Sequence, residues 1–273
     1  MTAAAQLPGH LACVGVGMML GAHLGPRARA YIEQADVVFV AASDALVELW
    51  LQTMRPDAIS LQPYYAEGKS RRETYREMAD VMLDEVRRGR RVCGAFYGHP
   101  GVFAQVPHDA IAQARREGFG AAMEPGVSAE DCLYADMGID PGRFGCQHYE
   151  ATQLLLYPRR IDASAYLVLW QVGIVGDPAC LRFATTPAHR QVLVERLLLD
   201  YPADHIVTIY EAATSAVVSP RIECVVLADL PDSKLTMQST LIVPPAHALV
   251  ADEAMRMRLA RLSATTPKTT RPV

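Results

Sequence analysis

Apolar residues along this chain fall into two kinds of pattern. Short, nearly continuous runs at Leu11 to Val16, Val37 to Val40, Ala58 to Leu61 and Val92 to Ala95 predict buried strands. Between them, Ser43 to Met54 has helical spacing with Ser43 as a candidate cap. After Ser70-Arg71-Arg72-Glu73, a capping-box pattern, the positions Tyr75, Met78, Ala79, Met82, Leu83 and Val86 define one helix face. Pro107 to Glu117 and a segment ending near Met137 are further helices. Strands alternating with helices predict a parallel sheet in the first half.

The second half changes character. Runs at Tyr166 to Val172, His205 to Tyr210, Ile222 to Leu227 and Ser239 to Val243, with one helix from Ala188 to Tyr201, predict a mixed or antiparallel sheet. The stretch from about 125 to 150 is expected to be the passage between two lobes. Beyond Pro244-Pro245 comes an Ala/Arg/Met-rich helix candidate, and 265–273 is expected to be disordered. The expected division is an N-terminal lobe over 1–124, a C-terminal lobe over 125–246 and a tail over 247–273.

Composition narrows the class. The chain has 273 residues, 51% hydrophobic and 21% charged, enough to bury a sizeable core. A net charge of −4 gives no basis for expecting nucleic acid. Cysteines 13, 93, 132, 146, 180 and 224 form no C-x-x-C pair and have no histidines at zinc-finger spacing, so no metal site is expected. No apolar run is long enough to span a bilayer and no signal segment precedes the first strand, which predicts a cytoplasmic protein.

Candidate chemistry concentrates in a few places. Phe96-Tyr97-Gly98-His99-Pro100-Gly101-Val102-Phe103 is a tight turn after a strand, where ligands bind in open α/β sheets, so Tyr97 and His99 are expected to face a ligand. Pro125-Gly126-Val127-Ser128-Ala129-Glu130-Asp131 delivers a capped helix N-terminus suited to a carboxylate. Tyr64 and Tyr65 sit in a polar loop, and Arg71 lies one turn from Tyr75. Two arginines in a first turn oppose the helix dipole, at about 0.3–1 kcal/mol each, which invites a functional explanation. Taken singly, Tyr75 is as well read as core, Ser128 as a plain cap and Trp170 as core. His10, His23, His148 and His189 are structural or exposed by their scatter, and Arg87, Arg88, Arg90 and Arg91 a solvated helix end.

Together, the Gly15-x-Gly17 strand end, the Tyr97-Gly-His-Pro-Gly-Val-Phe turn, Pro125 to Asp131 and Ser239-Thr240-Leu-Ile-Val-Pro-Pro resemble the tetrapyrrole methylase superfamily, over residues 10 to 245. Within it, Tyr65 with Arg71 and Tyr75, the turn, and Trp170-Gln171-Val172 resemble the borosin peptide α-N-methyltransferases. The usual aspartate is replaced by His99, and Gly17 is followed by Met18-Met19 instead of the generic continuation. The resemblance implies a two-lobed α/β fold with S-adenosylmethionine in the cleft, leaving as S-adenosylhomocysteine. It implies N-methylation of backbone amides in a ribosomally made precursor, with tetrapyrrole C-methylation as the alternative.

A threonine-, proline- and lysine-containing tail unlike an apolar core peptide suggests the split type, with the precursor as a separate partner. A homodimer, or a 2:2 complex with precursor, is implied as well. By the same resemblance Arg71, Tyr75, Tyr65 and Tyr97 carry catalysis. Tyr97, His99, Val102, Ser128, Ala129, Gln171, Tyr210, Ser239 and Thr240 hold the cofactor.

The chemistry is demanding. An amide about as weakly acidic as water, near 15.7, and a phenol near 10 differ by about 5–6 units, or about 7–8 kcal/mol. Arg71 is expected to favour ionisation of a nearby phenol, with Tyr75 or Tyr65 as base and the other as donor.

Overall fold

A computed structural model describes residues 9–42, 45–66, 68–179 and 181–265. Ser43, Cys180 and the tail beyond 265 lie outside the described residues, so the cap, one of the cysteines and the disordered-tail expectation are not addressed by it.

The first sheet is built from β1 (His10–Gly15), β2 (Val37–Ala41), β3 (Ile59–Ser60), β4 (Arg91–Phe96) and β5 (Gly120–Glu124), ordered β3-β2-β4-β1-β5. Every pairing in it is parallel. Alternation sends Leu11, Cys13 and Phe39 to one face, against α3 (Arg71–Arg87) and α4 (Gln105–Arg116). Ala12, Val14, Val38 and Val40 go to the other, against α1 (Pro26–Gln34) and α2 (Ala45–Met54). Burial on both faces is why these strands are continuous apolar runs.

The second sheet contains β6 (Cys146–Glu150), β7 (Tyr166–Trp170), β8 (Ile206–Glu211), β9 (Arg221–Val226) and β10 (Thr240–Val243), ordered β6-β7-β10-β8-β9. β6 runs parallel to β7, and the remaining pairs are antiparallel. One face packs on α7 (Ala151–Leu156) and α8 (Pro187–Leu197) through Leu154, Leu193 and Leu197. The other packs on α5 (Ala129–Met137) through Leu133, with Val168, Trp170, Tyr210 and Ile242. A short α6 (Pro141–Phe144) precedes β6, and α9 (Glu253–Thr265) follows the last strand.

Several elements differ from expectation for physical reasons. β5 and β6 were not anticipated: β5 is Ala-rich and β6, Cys-Gln-His-Tyr-Glu, has no buried residue. β3 is two residues long. β7 stops at Trp170 because Gln171 turns left-handed, φ 59°. Ser70 accepts from Arg72 N, but Glu73 does not return a bond to Ser70, so only half of the expected capping box forms. At Ser128 and Asp131 the box is complete. The arginines at the end of α3 and the start of β4 are paired as well as solvated: Arg87 bridges Asp84 and Glu117, and Arg91 bridges Asp36. No helix among the described residues is long and apolar enough to cross a membrane.

Candidate functional site

Three loops at the carboxyl edge of the first sheet are stitched backbone to backbone. Gly98 N donates to Gly17 O at 2.9 Å, Gly17 N to Gly98 O at 3.2 Å, and Tyr97 N to Ala41 O at 3.1 Å. A Cβ on Gly15 or Gly126 would lie 2.5 or 2.4 Å from Gly98 O, so both positions require glycine for this approach. The contact brings the Tyr97 turn and the Ser128 helix start to one cleft. Across it, Leu20 N donates to Thr214 O at 2.9 Å, joining the two lobes.

A cavity of about 160 Å³ lies there, lined by Tyr97, His99, Val102, Ser128, Ala129, Gln171, Tyr210 and Thr240. Ser239 is the one expected cofactor residue that does not line it. It is 1% exposed, its hydroxyl donating to Glu211 at 2.5 Å and accepting from Thr236 N at 2.8 Å, and thus braces the turn while Gln238 faces the cavity. His99 Nδ1 accepts from Gly101 N at 2.8 Å, which leaves its Nε2 as the free ring position. Tyr210 lends its ring, its hydroxyl donating to Asp136 at 2.7 Å.

A second cavity, about 270 Å³, brings together Tyr65, Arg71, Tyr75 and Tyr97, the four expected catalytic residues. Tyr65 meets Tyr75 edge-on at 6.3 Å and Phe183 at 6.4 Å. Arg71 Nε is buried with no partner among the described residues. Arg71 eases ionisation of Tyr65 in the expected direction but is outweighed. Burial, then the nearby Tyr75 and Tyr97, push its pKa up, and Arg71 opposes them as the smallest influence. Tyr97 is also raised, by burial first: half its surface is open, but only onto a cleft walled by both lobes.

A third cavity of about 620 Å³ opens beside Arg71 and Tyr75. Gln171 lines all three cavities. Gln171 and Phe103 are also the two non-glycine residues with positive φ among the described residues, at 59° and 49°. Such conformations cost roughly 1–3 kcal/mol and gather where function requires them. Phe103, within the quoted turn but given no role, packs on Trp170 at 5.2 Å, and Trp170 both belongs to the core and lines the first cavity. Phe183 had no signal beyond its aromaticity in a polar loop. His148 is not incidental: Trp170 Nε1 donates to its Nδ1 at 3.0 Å and Tyr134 Oη lies 2.8 Å from its Nε2.

Residues 10–223 match the family model Tetrapyrrole (Corrin/Porphyrin) Methylases. The chain belongs to this family. Among curated relatives, it is 44% identical over 244 residues to a methyltransferase/ribosomally synthesized type I borosin cyclic peptide precursor of Coprinopsis marcescibilis. That alignment covers 87% of this chain and 62% of the relative. It is 40% identical over 242 residues to the omphalotin A precursor methyltransferase of Omphalotus olearius, covering 87% and 58%. The chain thus spans about three fifths of the length of these relatives.

Among solved structures, uroporphyrin-III-C-methyltransferase from Thermus thermophilus superposes with a TM-score of 0.63 at 22% identity, covering 87% and 94% of the two chains. This is a likeness of fold.

Tetrapyrrole methylases transfer methyl groups, and the first cavity has the chemistry to hold the usual donor. The Ser128–Asp131 box satisfies its own donors, no acceptor for Ala129 or Glu130 N–H is found among the described residues, and both residues line the cavity at this helix start, where an anion is favoured. Met18, Phe96, Trp170 and Met237 supply apolar walls for a flat heterocycle.

Proposed function

We propose that this protein transfers methyl groups from S-adenosylmethionine to backbone amide nitrogens of a ribosomally made precursor peptide. The observation that carries this reading is the junction at Gln171. That residue lines both the cavity suited to the donor and the cavity walled by Tyr65, Tyr75, Tyr97 and Arg71. The relatives' names join a methyltransferase to a cyclic peptide precursor, which supports a peptide as substrate.

When bound, the cofactor supplies a methyl group on a sulfonium and departs as S-adenosylhomocysteine. Ala129 and Glu130 N–H groups would hold its carboxylate, and Trp170, Tyr210, Gln238 and Thr240 would hold its adenine end. The protein's remaining task is to make an amide nitrogen electron-rich. Tyr65, kept protonated by burial, donates to the amide oxygen. Arg71 adds positive charge where negative charge develops. Tyr75, acting as the phenolate, takes the N–H proton while the amide nitrogen bonds to the methyl carbon, and Tyr97 with Gln171 orients the peptide plane.

A homodimer acting in the cytoplasm, with precursor bound in a 2:2 complex, belongs to the same proposal. The exposed Met255, Met257, Leu259 and Leu262 of α9 are consistent with burial in such an assembly.

Incubation with S-adenosylmethionine and a precursor peptide supplied as a separate molecule, followed by fragmentation mass spectrometry, tests the reading. Mass gains on backbone nitrogens are expected. Gains confined to side chains, or to a porphyrinoid substrate offered alongside, contradict it.

A further inference from the structure

The 620 Å³ cavity shares its inner wall, Arg71, Tyr75 and Gln171, with the site, but the proposed chemistry makes no use of its outer wall. That wall carries two arginines, Arg72 and Arg159, and two carboxylates, which balance in formal charge but are engaged differently. Its two carboxylates are spent on local backbone: Glu150 accepts from Thr152 N at 3.0 Å and Gln153 N at 2.7 Å, and Asp177 accepts from Leu181 N and Arg182 N at 2.6 Å each. His148 is committed to Trp170 and Tyr134.

The guanidiniums of Arg71, Arg72 and Arg159 have no carboxylate within ion-pair distance among the described residues; other arginines, Arg76, Arg143 and Arg160 among them, share that property, but Arg71, Arg72 and Arg159 line one cavity. Arg159 is nonetheless held. Its carbonyl accepts from Arg196 at 2.8 Å and its guanidinium lies 4.9 Å over the Tyr149 ring. A stacked guanidinium keeps its N–H edges free for a planar, two-oxygen acceptor. The 270 Å³ cavity forms a different, aromatic arm that shares Gln171 and is walled also by Tyr65, Phe183 and Met237.

Resting on the function proposed above, we propose that the arginine-lined cavity takes an acidic segment of the peptide. Side-chain carboxylates next to the methylated stretch bind Arg72 and Arg159, while apolar residues occupy the aromatic arm. The channel then has two chemically distinct ends, and this polarity fixes the direction in which the peptide lies across Gln171.

The test measures peptide binding to the S-adenosylhomocysteine-loaded protein by calorimetry. Peptides with one apolar core carry three Glu, three Gln or three Lys on one flank, with each flank tried in turn. Exposed ion pairs are individually weak, so two together should make the Glu flank bind about tenfold tighter than Gln, on one side of the core only. Arg72→Glu with Arg159→Glu should reverse the order in favour of Lys, and Arg88→Glu with Arg90→Glu, outside the cavity, should not.

Equal affinity for Glu and Gln flanks, or a preference that the outer pair reverses equally well, overturns the assignment. So does displacement of the Glu peptide by inorganic phosphate beyond the effect of sodium chloride at matched ionic strength, which marks a general anion site. Failure of every peptide to bind the loaded protein strikes the proposed function itself.

Discussion

In β1 and β4 of the first sheet, five of six residues are buried, and in β6 of the second sheet none is. β1 and β4 sit inside a sheet covered on both faces. β6 lies at a sheet edge, and its His148, Tyr149 and Glu150 line the cavity of about 620 Å³. The contrast separates two uses of a strand. One fills a core and advertises itself by hydrophobicity. The other presents polar side chains to a cleft and loses that signature. α3 combines both uses in a single element, with Met78 and Met82 buried and Arg71 and Tyr75 facing the site.

The largest effect that can break this comparison is on the site face of α3. Tyr75→Phe should slow methyl transfer about 10²–10⁴-fold while leaving S-adenosylhomocysteine affinity nearly intact, as measured by single-turnover kinetics and calorimetry. Loss of cofactor binding instead would move Tyr75 out of the proton-transfer role. On the buried face, Met82→Ala should cost about 2–5 kcal/mol, read as a fall in denaturation midpoint, because Met82 is 0% exposed in the core of the first lobe. Equal stability losses at Tyr75 and Met82 would erase the distinction between the two faces.

The two caps offer a smaller contrast. Ser128→Ala removes a complete capping box and should cost about 1 kcal/mol, and Ser70→Ala, with a single 3.3 Å bond, should cost less.

β6 itself gives the smallest effect and a distinctive one. Burial lowers the pKa of His148 from 6.5, with Glu130 partly opposing, and a protonated Nδ1 would face the Trp170 N–H. The unfolded chain therefore binds the extra proton more readily. The contribution of His148 to stability is full above about pH 6.5 and falls as pH drops through its folded pKa. His148→Gln should flatten that part of the stability profile. An unchanged slope would assign it to another group.

How much of this was legible in the sequence follows the same division. The runs at Leu11, Val37 and Val92 marked their strands to within a residue or two because burial on both faces leaves little choice of residue. β6 was illegible because its residues answer to the cavity instead of a core. β5, with its alanines, is nearly silent. The site was legible where the chain needs a particular backbone or a particular functional group, as at the Tyr97 turn, the Ser128 cap and Arg71 with Tyr75. It was not legible where tertiary contact alone decides.

Ser239, expected at the cofactor, gives its hydroxyl to Glu211, 28 residues earlier in the sequence, a partner that no local pattern signals. Phe183 reaches Tyr65 from the other lobe, and the left-handed turn at Gln171 sits where the apolar run continues into Val172.

The central claim is that a peptide amide meets the methyl donor at Gln171. The direct measurement is the structure of a ternary complex with S-adenosylhomocysteine and a precursor peptide. An amide nitrogen seated at the junction, with Arg71, Tyr65 and Tyr75 around that peptide unit and the sulfur on the Tyr97 side, is the predicted result. A peptide bound elsewhere, or those three side chains turned away from the donor's sulfur, would contradict the account.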